Sequence, residues 1–435
     1  GMIIQYNFLE TSIGNSSPVF TFLLYHSGSV LEVSAMTPKN TDFKNAMLFL
    51  DRSKNVLGFF GIWMQGNTGL LRLLYAMSVL ILEYSFLLFE IIYIVNVWGD
   101  LDAVSEASYL LFTHASVCYK STAFMINNKS LMALLEMMEC KAFEPQSKVH
   151  EKVKRLCLFF WVCALTTCTM WAAMPLFDEA GQRSFPFRIW MPVSPELSPA
   201  YQFGYLYQMV SIYTSAMLFM GVDSVAVSMI MFGCAQLEII MDKIKKHEST
   251  ASRKKLLRYN NEIFIECIKQ HQNVERLIQM VEDTYHANIF FQLGGSVAII
   301  CNIGLRISIV TRNSLQFYSM LVYMVTMLSQ LFMYCWCGNE LTIRSEKLRE
   351  WLYQCPWYEQ DSKFKRSLWI AMERMKKPII FKAGHYIPLS RPTFVSVSMT
   401  LAKSTYRVSY RFFSVICNCY NEKLINQFDL RTTSF

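Results

Sequence analysis

The sequence predicts an all-α membrane protein of seven transmembrane helices, with long connections on one side that continue as helices outside the bilayer. Three observations carry that expectation. Of the 435 residues, 53% are hydrophobic and only 17% charged, against roughly 25% charged in soluble domains. Seven stretches approach the ~20 mostly apolar residues that a spanning helix needs. The Lys and Arg of successive connections alternate between rich and poor, as the retention of basic residues on the cytoplasmic side dictates.

Residues 1–70 have no basic region followed by an apolar core at their start, so the first span is expected to direct insertion. This segment carries Lys39, Lys44, Arg52 and Lys54 and is assigned to the cytoplasm. Span one is 71–97, and the connection around Trp98 and Asp102 has no Lys or Arg. Span two, 104–126, holds several polar residues. The connection after it carries Lys129, Lys141, Lys148, Lys152, Lys154 and Arg155. Span three is 156–177. Only Arg183 and Arg188 follow, among Pro186, Pro192, Pro195 and Pro199. Span four is 201–234, completing a block of four helices over 71–254.

The next connection is rich again, with basic residues from Lys243 to Arg276. Within it, 255–288 keeps Leu256, Tyr259, Ile263 and Cys267, then Val274, Leu277, Ile278 and Val281, at helical spacing. Spans five and six, 289–310 and 315–338, lie in the block 289–340 and are joined past Arg312. Residues 341–388 repeat the amphipathic pattern with Leu348, Leu352, Trp369, Met372 and Met375 and are read as cytoplasmic anchor helices. A membrane-surface lie is the other reading of both connections, since basic residues suit it. Pro378, Gly384, Pro388 and Pro392 then break the chain. The last span, 392–416, enters as a separate helix within 389–416, and 417–435 forms an extracellular tail. The N-terminus is thus expected inside and the C-terminus outside.

Composition narrows the function classes. The net charge of +8 sits in connections beside apolar segments, so lipid headgroups rather than nucleic acid are the expected partner. Most of the thirteen cysteines fall in apolar stretches, where a thiol behaves as a small hydrophobe. Cys335 and Cys337 form C-x-C rather than a metal or redox C-x-x-C. The seven histidines are scattered without a H-E-x-x-H pattern and are read as surface or interface residues. No catalytic role, metal or cofactor is expected.

Several short motifs, in order, are recognisable together. Gly338-Asn339-Glu340-Leu341, Ser345-Glu346, Trp357-Tyr358, Lys377-Pro378, Gly384, Pro388-Leu389-Ser390 and Phe394 resemble the C-terminal third of insect odorant receptors. Asp223, followed by Cys234, Gln236, Leu237 and Glu238, resembles the end of that family's fourth span, and His271 falls where the family has a histidine. Phe232 stands where the family often has another histidine. The resemblance implies an inverted seven-helix subunit of a tetrameric, ligand-gated cation channel whose pore is lined by the last helix. It implies a plasma-membrane location in sensory neurons and a small volatile ligand held in each subunit. A heterotetramer with a shared coreceptor is implied too, because the chain lacks the coreceptor's longer second cytoplasmic connection. The sister gustatory family is the alternative. Thr405-Tyr406 matches its closing motif, but the glutamine expected after it is missing from Arg411-Phe412-Phe413. A secondary transporter would need matching halves, and no such symmetry is visible.

Candidate ligand residues follow from helical faces in the outer half of the bundle. They are Ser108 and Phe112 on span two, Ala164, Thr167 and Trp171 on span three, Tyr205, Met209 and Ile212 on span four, and Tyr318 and Val322 on span six. Ordinary helix packing would use the same stripes. Asp223 is an ionisable group inside an apolar span, which reads either as a gating contact or as a structural helix–helix bond. Ser396 and Thr400 give the last helix a polar face. Lys403, Arg407 and Arg411 recur every four residues as a basic stripe, which in a pore would favour anions. The stripe is therefore expected to face away and snorkel toward headgroups, or else to belong to a minority subunit.

Overall fold

A computed structural model describes residues 48–64, 69–139, 143, 148–176, 185–192, 199–246, 253–310, 314–400 and 403. Nearly all of them are helical. The helices are α1 (Leu48–Phe59), α2 (Leu70–Asn96), α3 (Leu101–Ile126), α4 (Asn128–Met138), α5 (Lys148–Ala173), α6 (Ala200–Lys246), α7 (Arg253–Ile309), α8 (Leu315–Gln354) and α9 (Ser362–Arg374). A tenth, α10, occupies 391–400 and is still helical at 403. Five of these are long and apolar enough to cross a membrane: α2, the 155–173 part of α5, α6, α7 and α8. The α3 helix is not among them because Glu106, His114 and Lys120 interrupt its apolar run.

The α6 helix is the axis of the bundle, packing on α1, α2, α3, α5, α7 and α8. Its most apolar stretch is 94% buried, against 33% for α2. A helix apolar all round needs apolar surroundings, and protein or lipid serves equally. The expected span 201–234 therefore marks its apolar part, while the helix itself runs on to Lys246. The same holds for α7 and α8, which continue far beyond any bilayer thickness at 57 and 40 residues. Helical spacing across 255–288 and 341–354 is realised as unbroken extension of the spans. The α1 helix lies in the N-terminal segment that charge alone describes, and it buries Leu50 and Leu57.

The segment before α10 is hung between α7 and α8. Two-residue strands β1 (Lys382–Ala383) and β2 (Ile387–Pro388) pair antiparallel around Gly384 and His385, both at positive φ. Gly384 N–H donates to the His286 carbonyl of α7 at 3.0 Å. On the α8 side, Ile379 N–H donates to Ser345 Oγ at 3.0 Å. Thr342 Oγ1 donates to the Ile379 carbonyl at 3.2 Å. Gly338 is required there, since a Cβ on it would stand 2.5 Å from the Leu389 carbonyl oxygen.

The cysteines resolved in the bundle are free thiols; Cys118, Cys168, Cys234, Cys267, Cys335 and Cys337 are buried.

Candidate functional site

Between α3, α5, α6 and α8 lies a cavity with about 480 Å³ of unfilled space, of which about 50 Å³ is wide enough to admit the centre of a water molecule. The α5 helix contributes Ala164, Thr167, Cys168 and Trp171 to its wall, and α8 contributes Tyr323, Thr326 and Met327. Leu110, Thr113 and His114 come from α3, while Ile212, Ser215, Ala216, Phe219 and Met220 come from α6. Rings dominate one end. The Trp171 and Tyr323 centroids are 5.0 Å apart at 63°, Trp171 meets Phe187 edge-on at 5.5 Å, and Tyr109 lies 5.9 Å from Tyr323. The Tyr323 hydroxyl is held by Thr113 Oγ1. Thr167 and Thr326 donate to carbonyls of their own helices, Cys163 and Val322, at 2.9 Å each. That leaves acceptor capacity on both hydroxyls. Such a wall attracts apolar molecules by desolvation and dispersion, at about 25 cal/mol per Å² buried. Met220 and Met327 on the wall are unbranched thioethers, side chains that change rotamer readily.

Four of the ten expected ligand residues, Ala164, Thr167, Trp171 and Ile212, line this cavity. The other six do not. Met209 is buried beside it, and Tyr205 donates its hydroxyl to the Ala172 carbonyl at 2.8 Å. Ser108 accepts from Asn302 of α7. Phe112 and Tyr318 are 41% and 46% exposed, and Val322 is half-buried. On α3 and α8 the expected face is off by about one residue, and each residue turns the helix by about 100°. Thr113, His114, Tyr323 and Thr326 take the expected places.

Beside the cavity runs a buried polar network that includes Asp223. Lys120 Nζ lies 2.6 Å from Asp223 Oδ1. Tyr334 donates to the same oxygen at 2.8 Å, and Gln330 donates to Oδ2. Gln292 bridges onward, donating to Gln330 Oε1 at 2.7 Å and accepting from Ser116 at 2.9 Å. Asp223 thus ties α3, α6, α7 and α8 together. The network touches the cavity through Phe219, whose ring centroid is 4.0 Å from Lys120 Nζ.

Against the reading of the histidines as surface or interface groups, His114 is buried and paired with Glu90 at 2.8 Å. Glu83, about two turns before Glu90 on α2, accepts from Ser215. The available signal was the presence of Glu83 and Glu90 seven residues apart inside an apolar helix, where carboxylates need partners.

Ser396, Thr400 and Lys403 are exposed on α10, with Thr400 Oγ1 donating to the Ser396 carbonyl at 2.8 Å. Arg407 and Arg411 lie outside the described residues. A wider cleft of about 850 Å³ opens among the far ends of α6, α7, α8 and α9, against Phe264, Trp351 and Phe364. It belongs to the helical extensions rather than to the bundle's apolar spans, so the smaller cavity is the candidate site. Among the described residues, no three His, Cys, Asp or Glu side chains stand where they could hold a metal ion.

Five helices long and apolar enough to cross a membrane, packed with an apolar cavity among them, give the chain the fold of a multi-pass membrane protein. The sequence model of the family described as 7tm Odorant receptor matches residues 100–401, and the chain belongs to that family. Odorant receptor Or1 of Anopheles gambiae is 22% identical over 74% of this chain and 83% of its own length. Odorant receptor 46a, isoform A, of Drosophila melanogaster is 23% identical over 86% of this chain and 98% of its own. Among solved structures, the insect olfactory receptor OR5 from Machilis hrabei in complex with eugenol superposes with a TM-score of 0.71. It is 14% identical, covering 85% of this chain and 100% of that one. The fold is shared, and the chain is a receptor rather than an enzyme.

Proposed function

We propose that the chain is an odorant-gated, non-selective cation channel subunit that works with a coreceptor in the plasma membrane of olfactory neurons. The observation that carries this reading is the cavity among α3, α5, α6 and α8, which is apolar, aromatic and joined through Phe219 to a polar network reaching four helices. Occupancy would shift the walls on α6 and α8. The α8 helix packs at Gly338 against Leu389, just before α10, and that contact supports a route from the ligand to the pore helix. In this reading the N-terminus is cytoplasmic, the extensions of α7 and α8 with α9 form the cytoplasmic anchor, and α10 lines the pore. The basic stripe begun by Lys403 faces away from the pore. Neutralising Arg407 and Arg411 then leaves ion selectivity nearly unchanged, and a large permeability shift would overturn that orientation.

The test is whole-cell current in cells expressing the chain alone or with an insect coreceptor during an odorant panel. A non-selective cation current evoked by odour only with the coreceptor supports the proposal. Current from the chain alone makes it a homomeric channel. Silence in both, with normal surface expression, counts against odorant gating.

A further inference from the structure

The strap that leads into α10 is fastened to α7 through two histidines and a carboxylate. His385, at a φ of 63°, stacks on His286 of α7, with ring centroids 4.0 Å apart and planes 32° from parallel. Its Nδ1 lies 3.3 Å from Glu282 Oε1, one turn earlier on α7. Glu282 Oε2 accepts from Lys382 N–H at 3.4 Å, and the His286 carbonyl accepts from Gly384 N–H at 3.0 Å. Residues 382–385 are thereby joined to a single turn of α7. A left-handed backbone on a residue other than glycine persists where its surroundings hold it, and here the stack and the carboxylate do so. Leu389, four residues beyond, seats on Gly338 of α8, and α10 starts at 391. Whatever loosens the turn therefore loosens the approach to α10.

Imidazole is the side chain whose charge ordinarily changes between pH 5 and 8. His385 is 49% exposed and Glu282 16%, so protons reach the stack from the His385 side. An imidazolium at His385 turns the contact with Glu282 into a charge-assisted bond and rests on a neutral ring. A second proton, on His286, has no such place. Burial of that ring and the charge facing it on His385 outweigh the attraction of Asp283 and Glu282. Lys382 adds an exposed ammonium on the strap, and on its α8 side Glu340 and Arg391 hold each other at 3.1 Å. Two charged rings 4.0 Å apart repel, and undocking the strap separates them. Resting on the reading of α10 as the pore helix, we propose that His286 and His385 form a proton-operated latch on that helix. It holds the strap on α7 while at most one ring is charged and releases it when both are. Protons bind the released state better, so docking is lost as the cytoplasmic pH falls and regained as it rises. Release frees α10 to move, and odorant potency rises with acidity.

The latch is tested on odour-evoked current from the chain with an insect coreceptor, as the cytoplasmic solution is taken from about pH 7.5 to about pH 6. Linkage to one proton allows at most about a tenfold shift per pH unit. The half-maximal odorant concentration should fall about threefold over that range. His286→Phe keeps a flat ring against His385 and cannot take a proton, and His385→Asn keeps a side chain that suits a left-handed backbone. In each variant the shift should shrink below about 1.5-fold. A merely structural role for the pair would alter potency or expression and leave the pH profile in place. No shift in the unaltered receptor, a shift of opposite sign, or a full shift in either variant would overturn the latch. Amide hydrogen exchange of the detergent-solubilised receptor gives a second reading that needs no current. After correction for the intrinsic effect of pH on exchange, protection of the Lys382 and Gly384 amides should fall about threefold on acidification. It should stay constant in His286→Phe. Constant protection in the unaltered receptor overturns the latch whatever the currents do. Protection that falls while every odorant is silent, at normal surface expression, leaves the latch standing and defeats the channel reading.

Discussion

Lys120 Nζ and Asp223 Oδ1 stand 2.6 Å apart in the interior of the bundle, on side chains no more than 2% exposed. Breaking such a pair by removing one partner costs about 3–5 kcal/mol, while replacing both with apolar groups is near neutral. Lys120→Met and Asp223→Leu should therefore each lower the melting temperature of the detergent-solubilised receptor, and the double variant should recover most of the loss. Additive losses in that cycle would show the two side chains to be energetically independent. Asp223→Asn, which keeps the shape but strands the ammonium, is expected to reduce surface expression. Normal expression with altered gating would instead identify a gating contact.

Trp171 faces Tyr323 and Phe187 at 5.0 and 5.5 Å and forms one end of the cavity. Trp171→Ala should change the rank order of odorants in favour of bulkier ones. Removing the indole also costs about 3–5 kcal/mol of packing, so Trp171→Phe is the companion variant with smaller loss of stability. An unchanged ranking from dose–response curves would count against this wall.

Two glycines within apolar helices should behave in opposite ways. A Cβ at Gly338 would meet the Leu389 backbone at 2.5 Å, whereas one at Gly294 would meet nothing within 4 Å. Gly338→Ala should destabilise by about 1–3 kcal/mol through overpacking and disturb gating, because Leu389 leads into α10. Gly294→Ala should be neutral or stabilising by up to about 1 kcal/mol. Thermal melts with current recordings distinguish the two.

Glu340 sits between two arginines, Arg344 at 3.4 Å and Arg391 at 3.1 Å. Arg391 is more than half exposed, so Arg391→Ala should cost no more than about 1 kcal/mol. Arg344 is mostly buried and also holds Glu238 at 2.8 Å. Arg344→Ala leaves Glu238 without its cation and Glu340 with Arg391 alone, and should cost about 1.5–3 kcal/mol. Equal effects in melting experiments would contradict the burial argument.

Hydropathy made the helices legible because lipid and protein interior both demand apolar side chains. The same equivalence hid which faces are which. Tyr318 and Tyr323 are both aromatic residues on one apolar helix, yet the first is 46% exposed and the second 4%. Nothing local to α8 distinguishes them. Trp171 and Ile212 line the cavity because their helices present one face to the interior at the expected register. Asp223 stood out as a charge in an apolar run, but its partner Lys120 sits in a helix already weakened by polar residues, where another charge attracts less notice. The α1 helix escaped because twelve mixed residues carry little periodic signal, and its burial is a property of α6.

The separation of Lys120 from Asp223 along the chain has a consequence for biogenesis. The α3 helix, too polar to rank with the five apolar spans, must enter the bilayer carrying an ammonium whose counter-charge lies 103 residues downstream. At 5–20 residues per second of synthesis, that leaves roughly 5–20 s before α6 can emerge. The charge pair that locks the bundle therefore cannot form until α6, the third of the five apolar spans, has left the ribosome.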